Sequence, residues 1–342
     1  MLATANATLV DSRTFRIEPR GPFSWPMAVD VLGHFGPTGR HVAGAGSAAA
    51  SDSVLRLAFP LDGDFEPVAV ALRFEAGVLV GEVAGTERIN VVAAQVARIF
   101  SLDIDGSGYA DLARRDPALA PVMAALPGLR PVCFTSPYET AAWAILSARI
   151  SMAQAARVQD RLIHELGARL RVAGEDAWSF PTPERLLDLR ELPGAAPEKV
   201  VRLQGVAQAA LDGRLDPARL RALGDVEGPA SLLGIRGIGP FWSSGIYLRG
   251  CGIADVFPDE PLSIAALGQL HGLGDRPDPE VVAGLTDGCA PYRMWACFLL
   301  RVAAGRGIIP GLAGREMAIR RASRGEAVAE LGPAQTDRLT TP

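Results

Sequence analysis

The sequence has 342 residues, of which 49% are hydrophobic, and a formal net charge of −4. A chain of this length and apolar content can build two domains with hydrophobic cores, which excludes an intrinsically disordered protein. The negative charge argues against binding to nucleic acid through a broad basic surface, but it permits a local grip through backbone amides and a few arginines.

The first hundred residues predict a flexible start followed by a small antiparallel sheet. Residues 1–13 show no periodic pattern, and residues 44–53 (GAGSAAASDS) form an insert of small residues. Short β-rich runs separated by turn sequences predict strands at Val54–Phe59, Val68–Phe74 and Val78–Val83. A single apolar face predicts a helix over Val91–Phe100. We interpret residues 14–130 as an α+β domain that serves as a scaffold.

From Pro117 onward the hydrophobic period is that of helices, with Pro and Gly at most junctions. The predicted helices are Tyr138–Arg149, Met152–Leu170, Thr182–Leu189, Pro197–Leu211, Pro217–Leu223, Pro229–Leu233, Pro240–Arg249, Pro261–Leu270 and Tyr292–Ala304. Residues 131–305 are therefore predicted to form an all-α core, which makes the fold class α+β with the antiparallel sheet first. Residues 306–342 lose apolar weight, and we expect a mobile tail in which Arg315, Arg320, Arg321 and Arg324 are candidates for DNA contact.

Cysteine and histidine positions argue against a metal centre. Cys133, Cys251, Cys289 and Cys297 contain no Cys-x-x-Cys pair, which is typical of reduced cytosolic thiols. His34, His41, His164 and His271 do not pair with acids or cysteines at metal-ligand spacing, so we interpret them as non-catalytic. We expect a cytoplasmic protein, because the N-terminus lacks signal-peptide blocks and no run of about 18 apolar residues could span a bilayer.

A glycine hairpin lies within residues 233–250. Gly237 and Gly239 bracket Ile238, so the backbone can adopt positive φ and its amides can approach a ligand closely. Pro240 is suited to the first position of a helix, whose unpaired amides attract an anion such as a phosphate. Taken alone, this pattern is equally compatible with a plain structural turn.

Several stretches in the right order resemble the 3-methyladenine DNA glycosylase II family of the helix-hairpin-helix DNA glycosylase superfamily. They are GLRPVCFTSPYETAAWAILSARIS (128–151), FPTPERL (180–186), LPGAAPEKVVRL (192–203), the hairpin LGIRGIGPFWSSGIYLRG (233–250) and PYRMWACFLLR (291–301). The similarity covers roughly residues 15–305, weakly over the first hundred. It implies base flipping and cleavage of an N-glycosidic bond in duplex DNA.

The resemblance implies a catalytic carboxylate in the loop after the hairpin helix. Aligned on the following helix, which begins at Pro261, the family's aspartate corresponds to Glu260, with one loop residue missing. Alignment without that gap would place Pro261 there, which cannot do the chemistry. Asp259 is a supporting or substitute carboxylate. The alternative is that both acids only cap a helix, which acidic residues often do.

Two aromatic residues follow the hairpin where the resemblance implies contact with the extruded base. Phe241 occupies the position of the Schiff-base lysine of bifunctional relatives and of the base-facing tryptophan of the alkylation family, and Trp242 is adjacent. With no lysine nearby, the sequence predicts a water-using mechanism without lyase activity. An aromatic wall would attract a cationic alkylated purine, although either ring could equally pack in the core.

The resemblance also implies DNA and pocket contacts elsewhere. Arg149 corresponds to the family's wedge residue, which fills the gap left by the flipped nucleotide, although a solvated surface arginine is equally plausible. Ala148 replaces a glutamine, and Ser151 is expected to cap a helix. Further candidates for the base pocket are Tyr138, Trp143, Tyr247 and Trp295, with Arg293 a candidate for DNA binding.

The leading hypothesis is a monofunctional glycosylase for alkylated purines, acting as a monomer on double-stranded DNA with a damaged base and requiring no cofactor. The resemblance implies a Na⁺ or K⁺ ion held by backbone carbonyls of the hairpin around Gly237 and Gly239. One alternative is a non-catalytic or weakly active protein that binds lesions. The other is a glycosylase for deaminated or oxidised bases.

Overall fold

The computed structural model describes residues 7–34, 54–312 and 314. The predicted insert at 44–53, His41 and the tail arginines 315, 320, 321 and 324 lie outside these residues. The strands are β1 (Ala7–Leu9), β2 (Thr14–Ile17), β3 (Leu55–Pro60), β4 (Pro67–Glu75), β5 (Val78–Ala84), β6 (Ala168–Val172) and β7 (Glu175–Ser179). The helices are α1 (Trp25–His34), α2 (Ile89–Ile99), α3 (Leu112–Arg115), α4 (Ala120–Ala125), α5 (Pro137–Ser147), α6 (Met152–Leu166), α7 (Pro183–Leu187), α8 (Pro197–Leu211), α9 (Pro217–Leu232), α10 (Pro240–Gly245), α11 (Pro261–Leu270), α12 (Pro279–Asp287) and α13 (Arg293–Gly305).

The N-terminal part is an antiparallel sheet covered by two helices, which confirms the predicted α+β class. The strand order is β1-β2-β5-β4-β3, and β4 pairs with β5 from Ala69↔Ala84 to Glu75↔Val78. Alternating side chains of these strands pack against α1 and α2 in one buried cluster that includes Phe15, Phe59 and Val96. Burial of these apolar side chains is what holds the sheet and its helices together.

A second, two-stranded sheet interrupts the part of the chain predicted to be all-helical. The prediction extended α6 to Leu170, but the helix ends at Leu166 and β6 begins at Ala168. Ala173 and Gly174 both have positive φ, 46° and 79°, which closes a tight hairpin between β6 and β7. The hairpin packs on the first sheet through small residues such as Ala58, Ala69 and Ala71.

The remaining helices form two hydrophobic clusters. The helices α5 to α10 enclose one, around Leu203, Leu232 and Ile246. The other joins α11 and α13 to residues 109–129, so packing does not divide the chain at residue 130. Ile309 and Leu312 are buried in that second cluster, so the packed chain also continues past Gly305, where the predicted tail begins. Among the described residues, no helix is long and apolar enough to cross a membrane.

Candidate active site

The glycine hairpin connects α9 to α10. Gly237 has a φ of +98°, and a Cβ there would lie 2.7 Å from Ile145 Cδ1, so this position requires glycine. Gly239 differs from the prediction, because its φ of −98° and ψ of 179° are extended and open to any residue. Ile238 is buried in the core of α5 to α10 and anchors the turn.

The helix after the hairpin changes its geometry before it ends. Six α-helical residues, Pro240–Gly245, continue into the π-helical segment Ile246–Gly250. Such wide turns are frequent at functional sites because they alter which side chains face a cleft. Here Leu248 and Arg249 of the π-helical segment share a cavity wall with Phe241 and Trp242.

A cavity of about 390 Å³ lies between the two helical clusters, where α10 and its π-helical continuation face α13. Its wall is made of Phe134, Pro240, Phe241, Trp242, Ser244, Gly245, Leu248, Arg249, Pro258, Asp259, Glu260, Met294, Cys297, Phe298 and Arg301. Its volume falls within the range of about 300–1,000 Å³ that is typical of small-molecule sites. Its mostly apolar wall with a few polar groups is also typical of such sites.

Hydrogen bonds from Ser263 and Arg301 hold Glu260 in the wall of this cavity. Its Oε2 accepts from the Ser263 amide at 2.8 Å and from the Ser263 hydroxyl at 2.7 Å, while Oε1 accepts from Arg301 Nη1 at 2.8 Å. The side chain is 12% exposed, so it neither points into bulk solvent nor is sealed inside the core. Glu260 is therefore both the N-cap of α11 and a cavity residue, which joins the two readings of the sequence.

Asp259 lies beside Glu260 in the same wall but is exposed. It also borders a second groove that contains Asp255, Asp287 and Arg293. Because it is more solvated than Glu260, its charge is better screened and acts less strongly on a group inside the cavity.

Arg249 brings a partly buried positive charge to the cavity wall. Its guanidinium carbon lies 5.1 Å from the centre of the Phe134 ring and 5.2 Å from that of Phe298, and it donates a hydrogen bond to the Val132 carbonyl. Burial lowers the pKa of Arg249 to about 10, and the neighbouring Arg301 acts in the same direction. The group therefore keeps its charge at neutral pH.

Four aromatic residues proposed for the base pocket belong to the hydrophobic core. Trp143, Tyr138 and Trp295 are at most 1% exposed and do not line the cavity, so their assignment to the pocket is corrected. Tyr138 donates to the Pro181 carbonyl, Trp295 packs against Tyr109 and Tyr292, and Tyr247 donates to Asp225. On helices buried on every side, aromatic spacing does not identify the side that faces a ligand.

The residues predicted to contact DNA lie on the hairpin, on the turn between α5 and α6, and at the start of α13. Arg149 is exposed at the end of α5 with a φ of +60°, and Ser151 caps α6 as predicted by accepting from the Gln154 amide at 3.2 Å. Arg293 donates to Asp255 at 2.9 Å and to Asp287 at 2.8 Å. These two ion pairs balance its charge, which weakens its case as a phosphate ligand.

Several residues of the cavity were not predicted from the sequence. Arg249, Arg301 and Ser263 were not singled out, nor were Phe134 and Phe298 of the apolar wall. One signal was available, since Arg249 and Arg301 are each a single charged residue within an apolar helical run. Such a residue must find a partner or a cavity when its helix is buried.

The cysteines are not joined in disulfides, and His164 and His271 each contact one neighbouring side chain. All four cysteines are buried free thiols. Within the described ranges, no group of three or more His, Cys, Asp or Glu side chains is arranged to hold a metal ion. His271 contacts Asp116 at 3.1 Å, and His164 packs against Trp178.

Comparison with known proteins shows similarity to DNA glycosylases. No protein-family model matches the sequence. DNA-3-methyladenine glycosylase of Bacillus subtilis is 24% identical over 204 residues, which cover 58% of this chain and just under two thirds, 66%, of that relative. The 3-methyladenine DNA glycosylase from Archaeoglobus fulgidus has a similar fold, with a TM-score of 0.66 and 21% identity over 84% of this chain and 97% of its own.

A Clostridium acetobutylicum 8-oxoguanine glycosylase/lyase, solved with double-stranded DNA, also has this fold. Its TM-score is 0.60, with 16% identity over 88% of this chain and 99% of its own. The chain is thus similar in sequence to a DNA-3-methyladenine glycosylase and shares its fold with 3-methyladenine and 8-oxoguanine DNA glycosylases.

Proposed function

We propose that this protein is a monofunctional DNA glycosylase that removes alkylated purines, of the 3-methyladenine and 7-methylguanine type, from duplex DNA in base-excision repair. The observation that carries the proposal is the Glu260 carboxylate, fixed in the wall of a cavity that Phe241 and Trp242 also line. Similarity to a DNA-3-methyladenine glycosylase supports the same substrate class.

Glu260 supplies the charge that the reaction needs. As the bond between base and sugar breaks, the base leaves with the bonding electrons and the deoxyribose acquires oxocarbenium character. A carboxylate beside the anomeric carbon stabilises that positive charge and directs the attacking water. Ser263 and Arg301 keep the Glu260 carboxylate in one orientation, so little reorganisation is needed during the reaction.

Phe241 and Trp242 are the residues to which we assign contact with the flipped base. Phe241 is 57% exposed and lines the cavity, and its ring meets that of Trp242 edge to face at 5.4 Å between centroids. A cationic purine gains about 0.5–2 kcal/mol from an aromatic face. Phe134 and Phe298 instead lie close to the Arg249 guanidinium, which makes them a poorer place for a second cation.

Arg149 is suited to fill the gap that the flipped nucleotide leaves in the duplex. It is exposed on the turn between α5 and α6, where its φ is +60°. A guanidinium plane can stack on neighbouring bases and also meet a phosphate.

The distribution of lysine supports a mechanism without strand cleavage. Lys199 is the only lysine in the sequence, and its Nζ donates to the Leu146 carbonyl at 2.6 Å. It does not line the cavity that contains Glu260. A lyase mechanism needs an amine that attacks the sugar, so water is the expected nucleophile.

The test measures release of free 3-methyladenine and 7-methylguanine from methylated duplex DNA. We expect the wild-type protein to release both, Glu260→Gln to lose about 100-fold or more, and Glu260→Asp to keep measurable release because it retains the charge. Treatment with borohydride during turnover should trap no covalent protein–DNA complex. Asp259→Asn is the matched control and should stay within a few-fold of wild type.

Any other result would contradict one identifiable part of the proposed function. Loss of release in Asp259→Asn with activity kept in Glu260→Gln would assign the chemistry to Asp259. Tight lesion binding without release by the wild-type protein would support the non-catalytic alternative. Release of only deaminated or oxidised bases would change the substrate class, and a borohydride-trapped complex would contradict the monofunctional mechanism.

We also propose that hairpin carbonyls bind one Na⁺ or K⁺ ion. The carbonyls of Leu232 and Ile235 each accept one backbone amide, from Ile235 and Ile238, and a carbonyl oxygen has a second lone pair for a cation. Replacing alkali ions by tetramethylammonium at equal ionic strength should weaken DNA binding, and unchanged binding would refute the ion.

A further inference from the structure

A cluster of basic side chains surrounds the hairpin on the side of α8. Arg202 lies directly beside Gly237, since its Cδ and Nη1 are 3.1 and 3.5 Å from the position a Cβ would take there. Arg236, one residue earlier in the hairpin, lies 3.4 Å from Glu198 Oε1, to which Arg202 donates at 2.6 Å. The start of α8 and the hairpin thus form one continuous surface.

Lys199 and Arg149 extend this surface toward the end of α5. Lys199 donates to the Leu146 carbonyl near the last turn of α5, and Arg149 follows on the exposed turn. The electrostatics agree, because Arg202, Arg236 and Arg149 all lower the pKa of Glu198. Burial and the nearby Arg202 likewise lower the pKa of Lys199.

We propose that Arg149, Lys199, Arg202 and Arg236 form a binding surface for the phosphates of one DNA strand next to the hairpin, and that Glu198 competes with DNA for Arg202 and Arg236. We call these five residues the Arg202 surface. The inference rests on the proposed function in one respect, that the partner is duplex DNA.

The charge of the Arg202 surface argues for a polyanion. Of its four basic side chains, Arg202 and Arg236 pair with the single carboxylate of Glu198, so the surface is positive although the whole chain carries a net charge of −4. Within the described part of the chain, Arg202 Nε is buried without a hydrogen-bond partner. An arginine presents five donors in a planar fork that suits phosphate, and phosphate contacts make up half or more of protein–DNA hydrogen bonds.

Glu198 makes the surface responsive to DNA. It is half-exposed, and both of its ion pairs are at the surface, where such pairs contribute little net stability. A DNA phosphate can therefore take over the arginines, while the displaced carboxylate repels the strand. Removing the charge of Glu198 should strengthen binding.

The first experiment measures the dissociation constant for a duplex with an abasic-site analogue, as a function of salt from about 50 to 200 mM, with melting temperatures as a folding check. Arg202→Ala and Arg236→Ala should each weaken binding about 3- to 10-fold and reduce the salt slope by about one. Glu198→Gln should strengthen binding several-fold. Arg236 is 74% exposed, so its variant tests the surface even if Arg202→Ala folds poorly.

Arg114→Ala is the matched control, since Arg114 is about as exposed as Arg236 and is likewise paired with an acid, Asp111. It should bind like wild type. If the Arg202 and Arg236 variants also bind like wild type, or Glu198→Gln binds more weakly, the inference is wrong. If the wild-type protein binds no duplex at all, the proposed function fails instead.

The single lysine allows a second, independent measurement. An amine-reactive acetylating ester can modify only Lys199 among the side chains, and peptide mass spectrometry gives its rate of modification. Saturating duplex DNA should slow acetylation of Lys199 at least several-fold. An equal rate with and without DNA would remove Lys199 from the surface.

Discussion

At the scale of single residues, the Arg301–Glu260 ion pair is the feature on which activity should depend most. Arg301→Met removes the donor to Glu260 Oε1, while the two hydrogen bonds from Ser263 to Oε2 stay in place. A carboxylate that shifts by about 1 Å can lose about 100-fold in rate, so we expect single-turnover excision to fall 10- to 100-fold with a small change in DNA affinity. Rapid-quench measurement of base release checks this.

Two further variants test whether the effect of Arg301→Met comes from the lost ion pair with Glu260. Arg301→Lys keeps the charge and should restore part of the rate, whereas Arg306→Met removes an arginine at the end of the same helix, paired with Asp30, and should have no effect. A normal excision rate in Arg301→Met would show that Glu260 needs no positioning by this side chain.

Residue roles could be predicted from sequence where the backbone alone fixes them. Gly237 and Glu260 stand at a turn and at a helix start, and local spacing locates both. Arg249 and Arg301 lie within helices, and their orientation toward the cavity depends on how α13 packs against the π-helical segment. That packing has no local sequence pattern, which is also why Trp143 and Trp295 were assigned to the pocket and not to the core.

At the scale of elements, the hairpin makes different demands on its two glycines. Gly237→Ala places a methyl group 2.7 Å from Ile145 Cδ1 at a φ of +98°, so we expect a loss of about 1–3 kcal/mol in the free energy of unfolding together with weaker DNA binding. Gly239→Ala is the control, because its φ is extended and no atom lies within 4 Å of the new Cβ. Urea denaturation of both variants measures the difference, and equal stabilities would contradict the steric argument.

Element boundaries were predictable where proline or glycine marks them. The bounds of α8 and α11 agree with the prediction at Pro197 and Pro261, and the predicted break within α9 is present at Gly224, with a φ of 78°. The β6–β7 hairpin was missed because its segment continues the polar, Arg-rich character of α6. Its strands depend on packing against the first sheet, a long-range effect that a local window does not contain.

At the scale of the whole molecule, the cluster under the N-terminal sheet and the two helical clusters are linked by polar groups as well as by apolar packing. Residues 109–129 precede the helical core in sequence, yet they pack with α11 and α13. A boundary drawn from the change in hydrophobic period describes the secondary structure but not the packing.

Arg98 of α2 is one of the polar groups that link the N-terminal cluster to the helical core. It is 4% exposed, donates to Asp62 at 2.6 Å and to the Thr135 carbonyl at 2.8 Å, and also donates to the carbonyls of Phe134 and Gly250 next to the cavity wall. Arg98→Met keeps the apolar stem but leaves Asp62 and several carbonyls without their donor. We expect the free energy of unfolding to fall by about 3–5 kcal/mol, because the remaining buried charge and acceptors lose their partner.

Arg88→Met, which removes an exposed arginine paired with Asp64 and Glu66, should lower the free energy of unfolding much less. If chemical denaturation gives both variants the same stability, Arg98 does not help to join the sheet to the helical core.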